Sequence, residues 1–283
     1  MDKIQRVGVV GAGQMGAGIA QVSAASGFQT VLFDASSDAL NRGQNLIQTL
    51  LKKAAEKGKI SEDDRTSTLG RLQCASTLEA LGDCDVVIEA IVEQFEVKKR
   101  LFEDIDTIVK KSAVLASNTS SISITKIAAS TKRPDQVIGM HFMNPVPVMK
   151  LVEIIRGLQT SDTTYDAIRT LSTTMGKTTV LAVDSAGFVV NRILVPMINE
   201  AIFLLQEGVK AEDIDVAMKL GTNQPMGPLE LADFVGLDTL LYIMQVLHRE
   251  LGEDKYRPCP LLVKYIEAGW YGKKSGKGFY TYS

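Results

Sequence analysis

The chain has 283 residues, of which 45% are hydrophobic and 23% are charged, so it can bury the core of one large domain or of two ordinary ones. Its 31 basic and 33 acidic residues nearly balance, which argues against a nucleic-acid-binding protein and against a membrane-surface protein. The three cysteines, Cys74, Cys84 and Cys259, lack the spacing of metal ligands, so no metal site is expected.

The chain opens with an apolar strand that runs into a glycine-rich turn and then a helix, over residues 6–16. The turn has the G-x-G-x-x-G spacing of a dinucleotide site, in which a helix N-terminus faces the pyrophosphate. Gly11 permits the tight turn, Gly13 lets the backbone approach the phosphates, and Gly16 lets the helix lie close to the strand. The predicted cofactor contacts of this segment are Gly11, Gly13, Gln14, Met15 and Gly16.

A second apolar strand, 30–33, is followed by Asp34, at the distance expected of the acidic residue that binds the adenosine ribose. A carboxylate there accepts hydrogen bonds from the ribose hydroxyls and repels a 2′-phosphate. Because no Lys or Arg follows at 35–38 to offset that repulsion, the sequence predicts NAD rather than NADP. The alternative is a glycine turn in an ordinary α/β protein, with Asp34 as a helix cap.

The segment up to residue 184 alternates further predicted helices with predicted strands. Apolar patterns predict helices at 38–57, 97–110 and 124–129, and strands at 86–90, 113–116, 137–141, 151–155 and 178–183. After that, the pattern is almost purely helical, with helices predicted near 189–205, 211–219, 228–234, 237–251 and 260–268. We therefore predict a Rossmann-like, mostly parallel α/β domain over residues 1–184 and an all-helical C-terminal domain over 185–283.

One of the two histidines, His141, ends a predicted strand. Ligands of open parallel sheets bind beyond the carboxyl ends of the strands, so His141 is expected near a bound nicotinamide. Imidazoles titrate near neutral pH and can take the proton of an alcohol whose carbon loses a hydride. Glu153 lies in an apolar strand, where a carboxylate is unfavourable unless paired, so it is the candidate partner of His141. A histidine bonded to backbone, and an exposed edge strand carrying Glu153, are the competing interpretations.

Several motifs taken together resemble the 3-hydroxyacyl-CoA dehydrogenases, and most of all the short bacterial 3-hydroxybutyryl-CoA dehydrogenases among them. They occur in order along nearly the whole chain, at 11–16, 89–93, 117–121, 141–145, 187–192 and 276–280. The resemblance implies an enzyme that interconverts (3S)-3-hydroxyacyl-CoA and 3-oxoacyl-CoA with NAD, and 3-hydroxybutyryl-CoA is the substrate it favours.

The resemblance also implies roles in the reaction for individual residues. His141 would be the catalytic acid/base, with Glu153 as its carboxylate partner. Ser120 and Asn144 would contact both the substrate and the nicotinamide side of the cofactor. Asn191, at the start of the helical domain, would hydrogen-bond the substrate near its reacting oxygen.

Further charged residues are placed at binding positions by the same resemblance. Glu93 and Lys98 match positions near the cofactor ribose, and Lys274 matches another cofactor contact. Lys53 and Lys57 are the candidates for binding coenzyme A, with solvated surface charges as the alternative. The family commonly dimerises through its helical domain, which implies a homodimer.

Two other functions remain open at this point. One is a β-hydroxyacid or sugar-acid dehydrogenase of the same two-domain plan, although a free-acid substrate would favour a Lys or Arg facing the nicotinamide. The other is a dinucleotide-binding protein without catalysis, against which the pair of His141 and Glu153 argues. The predicted location is the cytoplasm, because the odd cysteine count favours a reducing compartment and no signal segment precedes the first strand.

Overall fold

The computed structural model describes residues 4–282 of the chain. Within them the chain divides between Ser185 and Ala186 into an α/β unit and a helical unit. The strands of the α/β unit are β1 Arg6–Val10, β2 Gln29–Phe33, β3 Leu72–Ala75, β4 Val86–Glu89, β5 Val114–Ser117, β6 Val137–Phe142, β7 Leu151–Arg156 and β8 Thr178–Val183.

These strands form one sheet in the order β3-β2-β1-β4-β5-β6-β7-β8. Neighbouring strands are parallel except β6 and β7, which are antiparallel. The connection between β6 and β7 contains no helix, and a chain that turns straight back pairs antiparallel, whereas helical crossovers produce parallel pairs. The predicted fold class, a mostly parallel Rossmann-like sheet followed by helices, is confirmed.

Helices connect most of the strands and cover the sheet. They are α1 Gln14–Ala25, α2 Ser37–Glu56, α3 Glu62–Gly70, α4 Phe95–Ile108, α5 Ile124–Ala128 and α6 Asp162–Thr174. Apolar side chains of α2 show how such a helix packs: Leu40, Ile47 and Leu51 recur on one face and join the sheet core. The strand β3 and the helices α3 and α6 were not predicted.

The central strands are buried on both faces, which accounts for their unbroken apolar runs. Because β1, β4, β5 and β6 are parallel, their carboxyl ends lie at one edge of the sheet. The residues at those ends are Val10, Glu89, Ser117 and Phe142. This edge is where an open α/β sheet binds its ligands.

The helical unit contains α7 Val190–Gln206, α8 Ala211–Thr222, α9 Pro228–Val235, α10 Leu237–Leu251 and α11 Pro260–Glu267. Each matches a predicted helix, with ends displaced by no more than a few residues. Its core is apolar, with Ile198, Leu229 and Met244 among the fully buried side chains. No single helix in the described part of the chain is long and apolar enough to cross a membrane; only the bent pair α9 and α10 meets the length and composition criteria.

Two buried carboxylates hold the chain's closing motif against the helices of this unit. Asp233 accepts hydrogen bonds from the backbone N–H groups of Phe279 and Tyr280, and burial raises the pKa of its carboxyl group. Asp215 accepts the Tyr280 hydroxyl at 2.7 Å. A side chain at Gly278 would overlap Asp233. The closing motif that contributed to the family resemblance therefore has a structural role.

Candidate active site

The turn between β1 and α1 has a conformation that requires glycine at two positions. Gly11 has φ +102°, and a Cβ there would lie 2.6 Å from the carbonyl oxygen of Ala90. A Cβ at Gly16 would overlap the carbonyl oxygen of Gly11, so only glycine lets α1 approach the turn this closely. A Cβ at Gly13, by contrast, would meet nothing within 4 Å. The space over the start of α1 is therefore open to a ligand.

A cavity of about 750 Å³ lies beside this turn, lined in part by Gly13, Asp34, Ile91 and Arg100. The helix α1 begins at its N-cap Gly13 without a side-chain cap and has no acidic residue in its first turn. Its first N–H groups have no partners within the helix, and with the helix dipole they favour an anion. The residues present thus fit a dinucleotide whose pyrophosphate lies on the turn and whose adenosine enters the cavity.

Asp34 links the glycine turn to the end of β2. One carboxylate oxygen accepts the N–H of Ala12 at 2.8 Å, and the other accepts the N–H of Ser36 at 2.9 Å. The N-cap of α2 is Ser36, whose hydroxyl accepts the N–H of Ala39, so Asp34 does not cap that helix. Held in this way on the cavity wall, its carboxylate suits the hydroxyl groups of a ribose.

The loop that follows β5 is organised by one carboxylate, that of Glu93. A single oxygen atom, Oε1, lies 2.6 Å from the Thr119 hydroxyl and 2.9 Å from the backbone nitrogen of Ser120. The same atom also accepts the N–H and the hydroxyl of Ser121. The backbone of Ser120, a predicted substrate contact, is therefore fixed by a residue 27 positions earlier in the chain.

Beneath this loop, Lys98 is a buried cation between two carboxylates. Its Nζ lies 2.5 Å from Glu89 Oε1 and 3.2 Å from Glu93 Oε2, and its side chain is 1% exposed. Glu89, fully buried, also accepts the Ser117 hydroxyl at 2.6 Å. The structure places Lys98 inside this network rather than on the cavity wall, and its predicted contact with the cofactor ribose stays a prediction.

The antiparallel pairing of β6 and β7 sets His141 directly opposite Glu153. Such partners have neighbouring side chains on one face of a sheet. The imidazole Nδ1 lies 2.7 Å from Glu153 Oε2, and the two side chains are 9% and 1% exposed. The structure therefore brings together the two residues that the sequence analysis paired, and β7 is an inner strand of the sheet rather than an exposed edge.

The end of β6 also lies close to the glycine turn. The side-chain amide of Gln14 donates to Asn144 Oδ1 at 3.0 Å, and the Asn118 side chain accepts the N–H of Phe142 at 2.8 Å. Asn144 is thus within hydrogen-bond distance of the first residue of α1. The nucleotide turn, the His141 strand and the Asn144 connection share one edge of the sheet.

A second cavity, of about 650 Å³, contains the candidate coenzyme A residues. Four of its lining residues are basic: Lys53, Lys57, Lys59 and Arg71. The connection after β6 also lines it, through Pro145, Pro147 and Val148. Basic groups on an otherwise largely apolar wall suit a ligand that joins phosphate groups to an apolar chain.

The amino-acid pattern of each unit matches one family model. Residues 6–185 match the 3-hydroxyacyl-CoA dehydrogenase NAD binding domain, and residues 187–282 match the 3-hydroxyacyl-CoA dehydrogenase C-terminal domain. The chain belongs to the 3-hydroxyacyl-CoA dehydrogenase family. The resemblance drawn from the motifs is confirmed, and the protein is an NAD-dependent enzyme.

Individual relatives are similar over both units of this dehydrogenase. A 3-hydroxybutyryl-CoA dehydrogenase of Bradyrhizobium diazoefficiens is 55% identical over 280 residues, which are 99% of this chain and 96% of that protein. One from Clostridioides difficile is 47% identical over 279 residues, 98% of this chain and 99% of that protein. A solved structure of (S)-3-hydroxybutyryl-CoA dehydrogenase from Ralstonia eutropha has a TM-score of 0.96 and 50% identity, covering 99% of this chain and 100% of that one.

Two predicted site residues of the dehydrogenase belong to the helical unit. Asn191 is the second residue of α7 and is partly exposed. Lys274 donates to both carboxylate oxygens of Asp238, at 2.6 and 2.7 Å. Their contacts with substrate and cofactor stay predictions.

Glu89 had no predicted role, although the sequence contains a signal for it. Glu89 ends an apolar strand, as Glu153 lies within one, and the same cost of burying an unpaired carboxylate applies to both. Its partners, Lys98 and Ser117, are 9 and 28 positions away, so only the structure identifies them.

Replacing Asp34 with asparagine should weaken NADH binding about 10-fold to 100-fold, because hydrogen bonds from ribose hydroxyls to a charged acceptor are lost. The same change removes the repulsion of a 2′-phosphate, so the preference for NADH over NADPH should narrow. KM for each nucleotide measures both effects. The exposed Asp38, in the first turn of α2, provides the control variant D38N. An unchanged NADH/NADPH ratio in D34N would contradict the assigned role.

Replacing Glu93 with glutamine should reduce the free energy of unfolding by about 2 kcal/mol at pH 7. Burial raises the pKa of Glu93, but the Lys98 ammonium and the hydrogen bonds from Thr119 and Ser120 outweigh it and hold that pKa below its ordinary value. A carboxyl group whose pKa is lowered by folding stabilises the protein above the ordinary pKa, near 4.5, and loses that effect as pH falls through the folded-state pKa.

The difference in unfolding free energy between wild type and E93Q should therefore shrink as the pH is lowered from about 5. Urea unfolding between pH 4 and 8 measures it. The exposed Glu103, on α4, provides the matched variant E103Q, which should stay near wild type at every pH. A difference for E93Q that stays constant over this range would show that the carboxylate charge is not what stabilises the loop.

Proposed function

We propose that this dehydrogenase interconverts (3S)-3-hydroxybutyryl-CoA and acetoacetyl-CoA, with His141 as the group that transfers the proton. The substrate is supported by the names of relatives similar over nearly the full chain. The proton-transfer role is supported by one observation above all, the 2.7 Å contact between His141 Nδ1 and Glu153 Oε2 at the ligand-binding edge of the sheet.

The pair can exchange a proton with the substrate's 3-hydroxyl group in either direction. When bound, NAD⁺ supplies the acceptor for the hydride that leaves carbon 3. Because Nδ1 is held by Glu153, His141 takes the hydroxyl proton at Nε2. The Glu153 carboxylate fixes the tautomer and orientation of the ring and places a negative charge beside the imidazolium that forms. In the reverse direction His141 returns the proton to the 3-oxo oxygen.

The other proposed roles concern binding. Ser120 and Asn144 contact the substrate and the nicotinamide side of the cofactor, which is supported by the way Glu93 and Gln14 hold them at the sheet edge. Asn191 hydrogen-bonds the substrate near its reacting oxygen. The charged residues follow the family positions. Lys53 and Lys57 bind coenzyme A phosphates, and Glu93 and Lys274 contact the cofactor. Lys98, which is 1% exposed, acts on the cofactor through its ion pair with Glu93.

An assay of NADH oxidation tests the proposed function. Acetoacetyl-CoA should be reduced, while acetoacetate at the same concentration should give no rate, because the cavity with Lys53 and Lys57 would have no coenzyme A to bind. Longer 3-oxoacyl-CoA substrates, and NADPH in place of NADH, define the preferences for chain length and nucleotide. Faster turnover of a longer 3-oxoacyl-CoA would overturn 3-hydroxybutyryl-CoA as the preferred substrate. Turnover of acetoacetate would favour a dehydrogenase of free hydroxy acids.

We propose also that the protein is a homodimer formed through its helical unit. Large apolar side chains of this unit are exposed, among them Leu220 at 83%, Ile193 at 67% and Phe234 at 54%. Exposed apolar side chains in such number are typical of an interaction surface. Sedimentation equilibrium should give twice the chain mass, and the variant L220D should shift the measured mass toward that of the monomer.

The three free cysteine thiols support a reducing compartment such as the cytoplasm.

A further inference from the structure

Lys177, immediately before β8, is a buried cation whose hydrogen bonds in the described part of the chain go to carbonyl groups rather than to a carboxylate. It is 8% exposed, and its ammonium donates to two backbone carbonyl oxygens, those of Val146 at 2.5 Å and Met149 at 2.8 Å. Burial lowers the pKa of Lys177. An apolar residue at this position would avoid the cost of burying a charge. The two hydrogen bonds of the ammonium are therefore the candidates for a role that offsets this cost.

Both acceptors lie in the connection between β6 and β7, residues 143–150. This segment joins the strand of His141 to the strand of Glu153. Its amides at Val148 and Met149 both donate to the carbonyl oxygen of Pro145, at 3.0 Å, so it is a tight turn rather than an extended loop. Two carbonyl groups of the turn, those of Val146 and Met149, take their donor from Lys177.

The outer side of the connection has little to hold it. The side chains of Val148 and Met149 are 70% and 41% exposed, whereas Val146 is 2% exposed and packs against Gly18 of α1. A Cβ at Gly18 would lie 2.9 Å from the Val146 Cβ. The two ends of the connection are held by hydrogen bonds, from Gln14 to Asn144 and from the N–H of Thr178 to the carbonyl oxygen of Lys150. Between them, the contact of Val146 with α1 and the ammonium of Lys177 hold the turn from its inner side.

The connection touches both candidate ligand sites of the α/β unit. At its start, Asn144 accepts a hydrogen bond from Gln14, the first residue of α1. Farther along, Pro145, Pro147 and Val148 line the cavity that contains Lys53 and Lys57. A shift of this turn would therefore displace one wall of the proposed coenzyme A cavity. The His141 and Glu153 pair is set by the β6–β7 ladder and should not move with it.

We propose that Lys177 is a positioning residue, which holds the β6–β7 connection in the shape that binds the acyl-CoA substrate. This rests on the proposed function, because the substrate named there occupies the cavity that the connection lines. Lys177 acts through the carbonyl groups of Val146 and Met149 and touches no reacting atom. Its loss should weaken substrate binding more than nucleotide binding. The glycine turn and Asp34 are held by other contacts, and Gln14 still holds Asn144, the residue of the connection proposed to contact the cofactor.

The variants K177M and K177R test this, with K150M as the control. Lys150 is an exposed lysine at the end of the same connection. For K177M, the KM for acetoacetyl-CoA should rise about tenfold or more, because two backbone carbonyl groups of the turn lose a charged donor. Its KM for NADH should stay within about twofold. K177R, which keeps a charged donor, should recover most of the loss, and K150M should match wild type.

Hydrogen–deuterium exchange of residues 143–150 gives a second readout that does not depend on turnover. Exchange there should be faster in K177M than in wild type, while β6 and β7 exchange as before. A K177M protein with a lower melting temperature but unchanged KM values would overturn the positioning role, as would equal rises in both KM values. If K177M does not fold, K177Q takes its place, because glutamine is shorter and uncharged; an unchanged KM for acetoacetyl-CoA and unchanged exchange of residues 143–150 in K177Q would overturn the role too.

The same measurements separate this proposal from the proposed function. Wild-type protein that fails to reduce acetoacetyl-CoA contradicts the proposed function, whatever the exchange data show. Wild-type protein that reduces it, together with K177M exchange and KM values equal to wild type, contradicts the role of Lys177 alone.

Discussion

Replacing His141 with glutamine should lower kcat about 10³-fold, within the range by which a positioned general acid or base accelerates a reaction. Glutamine has nearly the reach of histidine but cannot take up a proton, so the substrate hydroxyl loses its base and the 3-oxo group loses its acid. The nucleotide turn does not depend on this side chain. Steady-state kcat with acetoacetyl-CoA and NADH, together with NADH affinity from fluorescence quenching, gives both quantities.

His248 provides the control for this variant. It lies on the surface of α10, with a side chain that is 41% exposed, so H248Q should keep wild-type kcat. Thermal unfolding of H141Q shows whether the loss of activity comes from a loss of stability. We expect the fold to persist, because glutamine gives Glu153 a neutral hydrogen-bond partner in place of the imidazole. A folded H141Q protein with kcat within tenfold of wild type would remove His141 from the reaction.

The pairing of His141 with Glu153 was predictable because short-range geometry determines it. The two residues lie in consecutive apolar strands with no room for a helix between them, so the strands turn back and pair antiparallel. In that register a buried carboxylate opposite an imidazole has one evident partner. The placement of the glycine turn and Asp34 beside one cavity was predictable for a similar reason, since it depends on spacing along fewer than 30 residues.

The network around Lys98 was not predictable, because its members meet only after the sheet has formed. The contact of Glu93 with Ser120 spans 27 positions and that of Glu89 with Ser117 spans 28. The contacts of Lys177 are harder still to predict from sequence, because its partners are backbone carbonyl groups, which no side-chain pattern indicates. A lysine at the start of a strand is ordinarily a solvated charge, and only its burial distinguishes it.

The elements that were not predicted lack a strong apolar signal. The strand β3 has four residues, none of them fully buried. The helix α6 has the sequence DTTYDAIRTLSTT, in which threonines lower the helix propensity and obscure the apolar face formed by Ile168 and Leu171. Its N-cap, Ser161, accepts the N–H of Thr164, which is a local start signal. Tertiary packing rather than intrinsic propensity stabilises both elements.

The proposed active-site residues differ in the contacts that hold them in place. The ladder of β6 and β7 sets His141 and Glu153, whereas the hydrogen bonds of Glu93 hold Ser120 and those of Gln14 and Lys177 hold the Asn144 connection. Variants of the ladder pair should therefore change kcat with little change in affinity. Variants of the loop anchors should change KM first. The contrast between effects on kcat and effects on KM is measurable, and it should be largest for variants of Glu153.

Replacing Glu153 with glutamine should lower kcat about 10²-fold to 10⁴-fold while both KM values stay near wild type, as expected when an orienting carboxylate is lost from a buried acid/base pair. If the new amide donates to Nδ1, the proton of the neutral ring lies on Nε2, which then cannot accept the substrate proton. If the amide oxygen accepts from Nδ1 instead, the tautomer is correct but the imidazolium has no counter-charge. Both orientations slow the reaction.

The double variant H141Q/E153Q distinguishes this mechanism from a general loss of structure. If Glu153 acts only through the imidazole, the double variant should be no slower than H141Q alone, because residues that act as a unit are not additive. The surface variant E79Q should match wild type, and thermal unfolding of E153Q should stay close to it, since glutamine has the same shape in a site that is 1% exposed. Fully additive losses in the double variant would mean that Glu153 affects turnover by a route that does not involve His141.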